Sequence, residues 1–326
     1  MRNSVLFLFM LFCNHSFAQL SVGHEPYTKK TGLDSITMSR FKATTTLFIL
    51  PDKIPETTYD SILKAFWTIT PYHLIKHSRF HIEDIDSNKH SFAYISTTVK
   101  TIDKPKSIHV FIFSNLDLFM VNPFHKKEDW LSHKVPIASV GLYPKNTSLR
   151  PIADLRKKEM LLNRFIYEEN PFFDFNPGFF KNYIQQINTH LKQQLPFYLY
   201  ETETSSELKN LSNAILYIPE YLGLKFNGFR ETNSAAPSIF INNLFESYEY
   251  RYSIVSRDNL SRLIMDQQPI YYARFTRINT QRFLQIVNAH TGNIVYRTYI
   301  SGSSYHLKQR QITQLSEAIK KAVSKL

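Results

Sequence analysis

Three histidines, His73, His77 and His81, recur at four-residue spacing just ahead of Glu83 and Asp84. On a helix they would line one face and offer zinc the three or four nitrogen and oxygen donors it takes at about 2.0 to 2.2 Å. Pro71 and the β-formers from Tyr72 to Ile82 argue for a strand instead. On a strand the three still share a face, but steps of about 3.3 Å per residue set neighbours about 13 Å apart, too far for one ion. Histidines on a half-buried strand are the expectation, with no metal. A second chemistry would use carboxylates: Glu168, Glu169 and Asp174 stand near an aromatic run. A glycoside hydrolase needs two carboxyls about 5 to 9.5 Å apart across a cleft, a distance that sequence spacing does not supply. A third would use Arg274, Arg277, Arg282 and Arg297, on or beside a terminal hairpin. As a patch they would bind phosphate or carboxylate bidentately; as edge-strand charges they would discourage unwanted strand pairing. Arg274 and Arg277 face opposite ways on a flat strand, which favours the second reading. The eight glycines form no G-x-G-x-x-G, G-x-x-x-x-G-K or G-x-S-x-G motif, so the phosphate cradles and the serine elbow are missing and no cofactor is expected.

The elements that would hold these residues follow from periodicity. Thr44 to Leu50 alternates and then runs apolar into Pro51, as a buried strand ending at a turn does. Tyr59, Ile62, Leu63, Phe66 and Trp67 follow at helical spacing over Glu56 to Ile69, with Thr57 or Thr58 available as a cap. Tyr72–Ile82, Ser91–Val99, Ile108–Phe113 and Val135–Tyr143 then complete a sheet of about five strands. The carboxyl-terminal portion repeats the order. Ala214–Ile218 runs into Pro219, a helix carries Phe240, Leu244, Phe245 and Tyr248, and a strand covers Tyr250–Val255. Ser256 caps a helix with Leu260, Leu263 and Ile264, and Asp258 suits its first turn. Ile270–Ile278, Phe283–Asn288 and Asn293–Ile300 are strands, with Gly292 free to take positive φ in a hairpin turn. Ile312, Leu315, Ile319 and Val323 give the last helix one apolar face. The separation of matching positions grows from 168 residues at Pro51 and Pro219 to 179 at Ile75 and Ile254, which places an insertion near Leu224 to Ala236. One unit is therefore used twice.

The reading is α/β: two related β-α-β-α-β-β units, each a mixed sheet with helices packed on it, at residues 44–150 and 213–326. A lead-in spans 19–43 and a helical, phenylalanine-rich linker spans 151–212. In the linker Pro151–Glu168 and Pro177–Leu195 are helical by spacing, and Phe172, Phe173, Phe175, Phe179 and Phe180 fall within nine residues between and into them. Burying each contributes about 1.5 to 3 kcal/mol, so they are expected to wedge the units together. The alternative is an exposed aromatic platform for a glycan or a membrane. On that alternative Phe172, Phe173, Phe175 and Phe179 join Arg274, Arg282 and Arg297 as the candidate binding residues.

Residues 1–18, with Arg2, an apolar run from Val5 to Phe12, and Ser16 and Ala18 before Gln19, form a secretory leader whose run is too short to anchor in a bilayer. Cys13 is the only cysteine, and bulky Phe12 before it fits a lipoprotein cleavage site poorly. No other stretch reaches the roughly 18 apolar residues of a transmembrane helix. The protein is expected to be exported, to the periplasm or beyond. A net charge of +12 draws it toward anionic surfaces. Export excludes nucleic acid and leaves an envelope protein, or an anionic cell-wall or outer-membrane component, as partner.

The run YRYSIVSRDNLSRLIMDQQPIYYARF and the later FLQIVNAHTGNIVYRTY resemble the amino-terminal α/β domain of the Tol translocation protein and of the curli-secretion and penicillin-binding-protein-activator lipoproteins. The shared features are a strand ending in Arg257 and Asp258, a short leucine helix, and a hairpin turning at Thr291 and Gly292. The resemblance covers roughly residues 213–325, with a fainter echo in 44–143, and no β-propeller follows. The whole chain also resembles an uncharacterised exported family from Bacteroidota. These resemblances imply a non-enzymatic binding or scaffold protein of the cell envelope. The competing expectation is a secreted glycan or peptidoglycan hydrolase using carboxylates near the groove between the units.

Overall fold

The run Thr45–Leu50 is buried at every position from Thr46 onward, the pattern of a strand covered on both faces. It is one of twelve strands in a computed structural model that describes residues 20–23, 32–81, 85–104, 107–122, 133–197, 201–224, 237–279, 281–302 and 306–324. In chain order the first unit reads β1 (Leu20–Val22), α1 (Ser35–Lys42), β2 (Thr45–Leu50), α2 (Glu56–Phe66), β3 (Tyr72–Lys76), β4 (His90–Lys104), β5 (Ser107–Val121) and β6 (Lys134–Gly141). Then come α3 (Asn146–Asp154), α4 (Glu159–Glu169) and α5 (Pro177–Gln193). The second unit reads β7 (Glu203–Thr204), β8 (Leu216–Pro219), α6 (Pro237–Leu244), β9 (Tyr252–Val255), α7 (Arg257–Met265), β10 (Tyr271–Ile278), β11 (Gln281–Asn288), β12 (Ile294–Ile300) and α8 (Gln309–Val323).

The two sheets have one topology. Their orders are β1-β6-β5-β4-β2-β3 and β7-β12-β11-β10-β8-β9. β2 is parallel to β3 and β4 as β8 is to β9 and β10. The remaining ladders are antiparallel in both. Even the irregularity recurs: one bulge, with Ile137 of β6 as the extra residue, lies opposite Leu118 and Phe119 of β5, and one, with Val295 of β12 as the extra residue, lies opposite Ile286 and Val287 of β11. The chain is thus α/β, with two similar sheet-and-helix units.

The register corrects the alignment read from the sequence. Phe119 faces Phe92, which faces Leu47; Val287 faces Tyr272, which faces Tyr217. Matching bulges therefore equate Leu47 with Tyr217, and through β3 and β9 they equate Leu74, not Ile75, with Ile254. A slip of one residue exchanges the faces of a strand, so Ile75 and Ile254 are not counterparts, and the same register matches Pro219 with Ile49 and not with Pro51. The insertion placed at Leu224 to Ala236 falls on 225–236, outside the described residues, as do Glu83, Asp84 and the leader.

Other expectations also shift. Each sheet has six strands, not five, because β1 and β7 come from the segments taken as lead-in and linker; three and two residues are too few to show a period. β3 ends at Lys76, and in place of a second helix the first unit has a 3-10 turn at His77–Arg79. Pro55, not a threonine, stands at the start of α2, with no side-chain cap. β5 runs on to Val121 beyond the expected end at Phe113. The Ser256 cap forms as expected, its hydroxyl accepting from the Asn259 N–H at 3.3 Å. Gly292 takes φ +77°, and a side chain there would also meet Cβ of Gln185 at 2.9 Å.

α5 joins the units. Asn176 caps it by accepting from the Phe179 N–H at 2.9 Å, with Pro177 at its first position. It packs on α2 along one side and on α7 along the other. Its residues Gly178 to Ile187 are all buried.

Candidate functional site

The phenylalanine run leads into α5 and sits between the sheets. Pro144 and Phe172 form a β-bridge, and the Phe173 N–H donates to the Tyr143 carbonyl at 2.9 Å. Phe172, Phe175, Phe179 and Phe180 are each wholly buried, and Phe173 is half-buried. Their rings touch both units. Phe180 meets Tyr59 of α2 at 5.2 Å, Phe179 meets Tyr272 of β10 at 5.6 Å, and Phe173 stacks on Tyr221 at 5.5 Å while also touching Tyr143 at 5.2 Å. The wedge expected from the sequence is what forms. As an exposed binding platform, Phe172, Phe173, Phe175 and Phe179 are corrected: the rings are consumed in joining the units.

Within this junction lies a polar cluster that α5 brings to β10. Asp174 is fully buried, and its carboxylate spans the units. One oxygen accepts from the Tyr143 N–H at 2.8 Å, and the other from the Thr276 hydroxyl at 2.7 Å. Burial pushes its pKa up to about 6 against the pull of these two bonds and of Arg274. Tyr183 donates to the Asp174 carbonyl at 2.8 Å, and its ring lies 4.8 Å from the Arg274 guanidinium. Arg274 Nε donates to Gln285 Oε1 at 2.9 Å, and Nη2 to Gln285 and, at 3.3 Å, to Gln186 Oε1, while Nη1 is buried with no hydrogen-bond partner. Nearby, Tyr272 donates to Asn182 at 2.9 Å, and Lys181 donates to the Ile264 carbonyl at 2.7 Å. Burial lowers the Lys181 pKa to about 8.

The arginines do not form a patch. Arg274 is 0% exposed, Arg282 3% and Arg297 3%, so the surface reading of these three is corrected. The edge-strand reading of the four is corrected as well, because β10, β11 and β12 are interior strands. Each guanidinium ties down a different element. Arg277 lies 5.4 Å from the Tyr143 ring in the other unit. Arg282 donates to the carbonyls of His306 at 2.7 Å and Ser301 at 2.9 Å, shaping the approach to α8. Arg297 pairs with Glu203 at 2.5 Å and Glu201 at 3.1 Å and stands 4.0 Å from the Phe197 ring, holding β7 to the sheet. Arg257, from the pair that carried the resemblance, donates to the Phe172 carbonyl at 3.1 Å.

The other candidates are likewise dispersed. Glu168 pairs with Arg164 at 2.9 Å and Glu169 with Lys53 at 2.8 Å, both at the surface, whereas Asp174 is interior. His73 lies exposed on β3, and His77 stacks on Tyr167 at 4.2 Å. Among the described residues no three histidine, cysteine or acidic side chains come together as a metal site. No helix among them is long and apolar enough to cross a membrane.

Sequence reasoning passed over Lys181, Asn182, Gln185 and Gln186, which turn the buried face of α5 polar. The signal was present: four polar residues lie between Phe180 and Ile187 in a helix that Phe179, Phe180, Tyr183 and Ile184 commit to the interior. It also passed over the length of the β4–β5 hairpin. β2 pairs with β4 only as far as Tyr94, and β6 pairs with β5 only from Asn115. Beyond those points the two strands run on as a ribbon, from Thr97 facing Ser114 to Lys104 facing Ser107, with no further strand beside them among the described residues. Ile102 is 50% exposed and Val110 41%. The base of the ribbon is braced from the second unit, where the Asn279 side-chain oxygen accepts from the Ile112 N–H at 3.0 Å. No known family model, no curated protein and no solved structure matches this chain.

Proposed function

We propose that this chain is an exported, non-enzymatic binding and scaffold protein of the bacterial cell envelope, and that the β4–β5 hairpin is its arm. The observation that carries the reading is the ribbon, which beyond the Asn279 brace has no further strand beside either edge among the described residues and carries exposed Ile102 and Val110. Two strands alone are marginally stable in water, and unpaired edges are templates for pairing with another chain. The arm therefore suits strand addition, in which backbone hydrogen bonds supply affinity and alternate side chains supply specificity. The partner is an envelope protein. The net charge of +12 favours approach to the anionic surfaces on which such a protein resides. The leader-like residues 1–18 support export. The buried junction between the units supports a scaffold that carries the arm.

A photo-crosslinking amino acid at Ile102, with the same group at exposed Lys321 of α8 as control, tests this in native envelopes. Discrete adducts from the hairpin position and none from the control are expected. Absence of adducts at Ile102, or turnover of peptidoglycan by the purified protein, would overturn the reading.

A further inference from the structure

A cleft of about 150 Å³ opens at the carboxyl ends of β2 and β3, beside the start of α2. It forms where the chain turns from β2 into α2 alongside the last residues of β3. In the second unit the equivalent place is filled: β8 runs directly into a 3-10 helix at Glu220–Gly223, which packs against α6 and buries Tyr221 and Leu222. The fold therefore does not require the space that the first unit keeps open.

The lining has two characters. Phe48, Leu50 and Leu74, which share one face of the sheet, give an apolar floor with Ile54, and Asp52, Glu56 and Lys76 stand exposed around it. Neighbouring charges are committed, Lys53 to Glu169 at 2.8 Å and Lys64 to Asp60 at 2.7 Å. Glu56 and Lys76 have no ion pair among the described residues. Tyr59 is not available to a ligand, since its hydroxyl donates to the Pro51 carbonyl at 3.0 Å.

The geometry points to a binding site for a small apolar group that carries an α-ammonium. A cavity of roughly 150 Å³ holds a group the size of benzene, which sets the side chain at that of leucine or phenylalanine. The ammonium meets Asp52 and Glu56. A free amino acid also presents a carboxylate to Lys76, whereas the amino-terminal residue of a peptide does not. This site is separate from the hairpin arm, and its test fails or succeeds independently of the crosslinking.

Methyl-labelled protein is titrated with phenylalanine, with the tripeptide Phe-Gly-Gly and with N-acetylphenylalanine, reading the signals of Ile54 and Leu74. Saturable shifts with the first two, and binding at least tenfold weaker with the acetylated compound, are expected. Phenylalanine binding more tightly than the tripeptide assigns the site to free amino acids, and equal binding assigns it to peptide amino termini. Asp52→Asn with Glu56→Gln should weaken phenylalanine at least tenfold without moving the melting temperature. No shift with any probe, or equal binding of the acetylated compound, would sink the proposal.

Discussion

Replacing Asp174 by asparagine isolates one buried carboxyl at the junction. Its pKa stands at about 6 instead of the ordinary 3.8, with burial the largest cause. Below pH 3.8 both the folded and the unfolded chain hold the proton, and the group costs nothing. Between 3.8 and about 6 the folded state binds more protons than the unfolded, so stability falls as pH rises, and the loss is complete above about 6. Each tenfold change in proton affinity is worth about 1.36 kcal/mol, which makes the full loss about 3 kcal/mol. Asparagine carries no charge at any of these pH values. It keeps one oxygen for either the Tyr143 N–H or the Thr276 hydroxyl and turns an amide group toward the other, at a pH-independent cost of about 1 to 3 kcal/mol. The informative quantity is the difference between the two proteins, in which distant titrating groups cancel. Guanidinium unfolding followed by circular dichroism at pH 4, 5, 6 and 7 measures it. Because part of the loss has accrued by pH 4, the variant should gain about 2 to 2.5 kcal/mol on the wild type between pH 4 and pH 7. A flat difference, or one that turns toward the wild type as pH rises, refutes the reasoning: Arg274 would then outweigh burial and hold the carboxyl ionised throughout.

Two further substitutions probe how the units are joined and edged. In Gly178→Ala the added methyl would lie 2.8 Å from Ser261 Cα and 2.9 Å from its carbonyl oxygen, both backbone atoms, so α5 and α7 must part; a loss of about 1 to 3 kcal/mol is expected, and an unchanged melting temperature would contradict the close approach. Arg297→Ala frees Glu201 and Glu203 from their shared cation. Amide exchange should then rise at Glu203 and Thr204 while β10 and β11 stay protected, and unaltered exchange in β7 would show that the arginine does not hold that edge.

What the sequence determined by itself was local. The apolar strand ending at Pro51, the Ser256 cap, the turn at Gly292 and the striped last helix are each set by neighbours within a few positions, where periodicity, capping oxygens and φ preferences act. The repetition of the unit was legible for the same reason, since both copies spell the same local elements. What only the tertiary structure decided was non-local. β1 and β7 are too short to show a period and exist because an open sheet edge recruits them. The one-residue shift between Ile75 and Ile254 depends on ladders between strands distant in sequence. Arg274 reads as a surface charge along the chain, because arginine is rarely buried without a partner. Its interior place is set by Gln186 of α5 and Gln285 of β11, and by a carboxyl at Asp174 that the packing of two sheets around one helix brings to it.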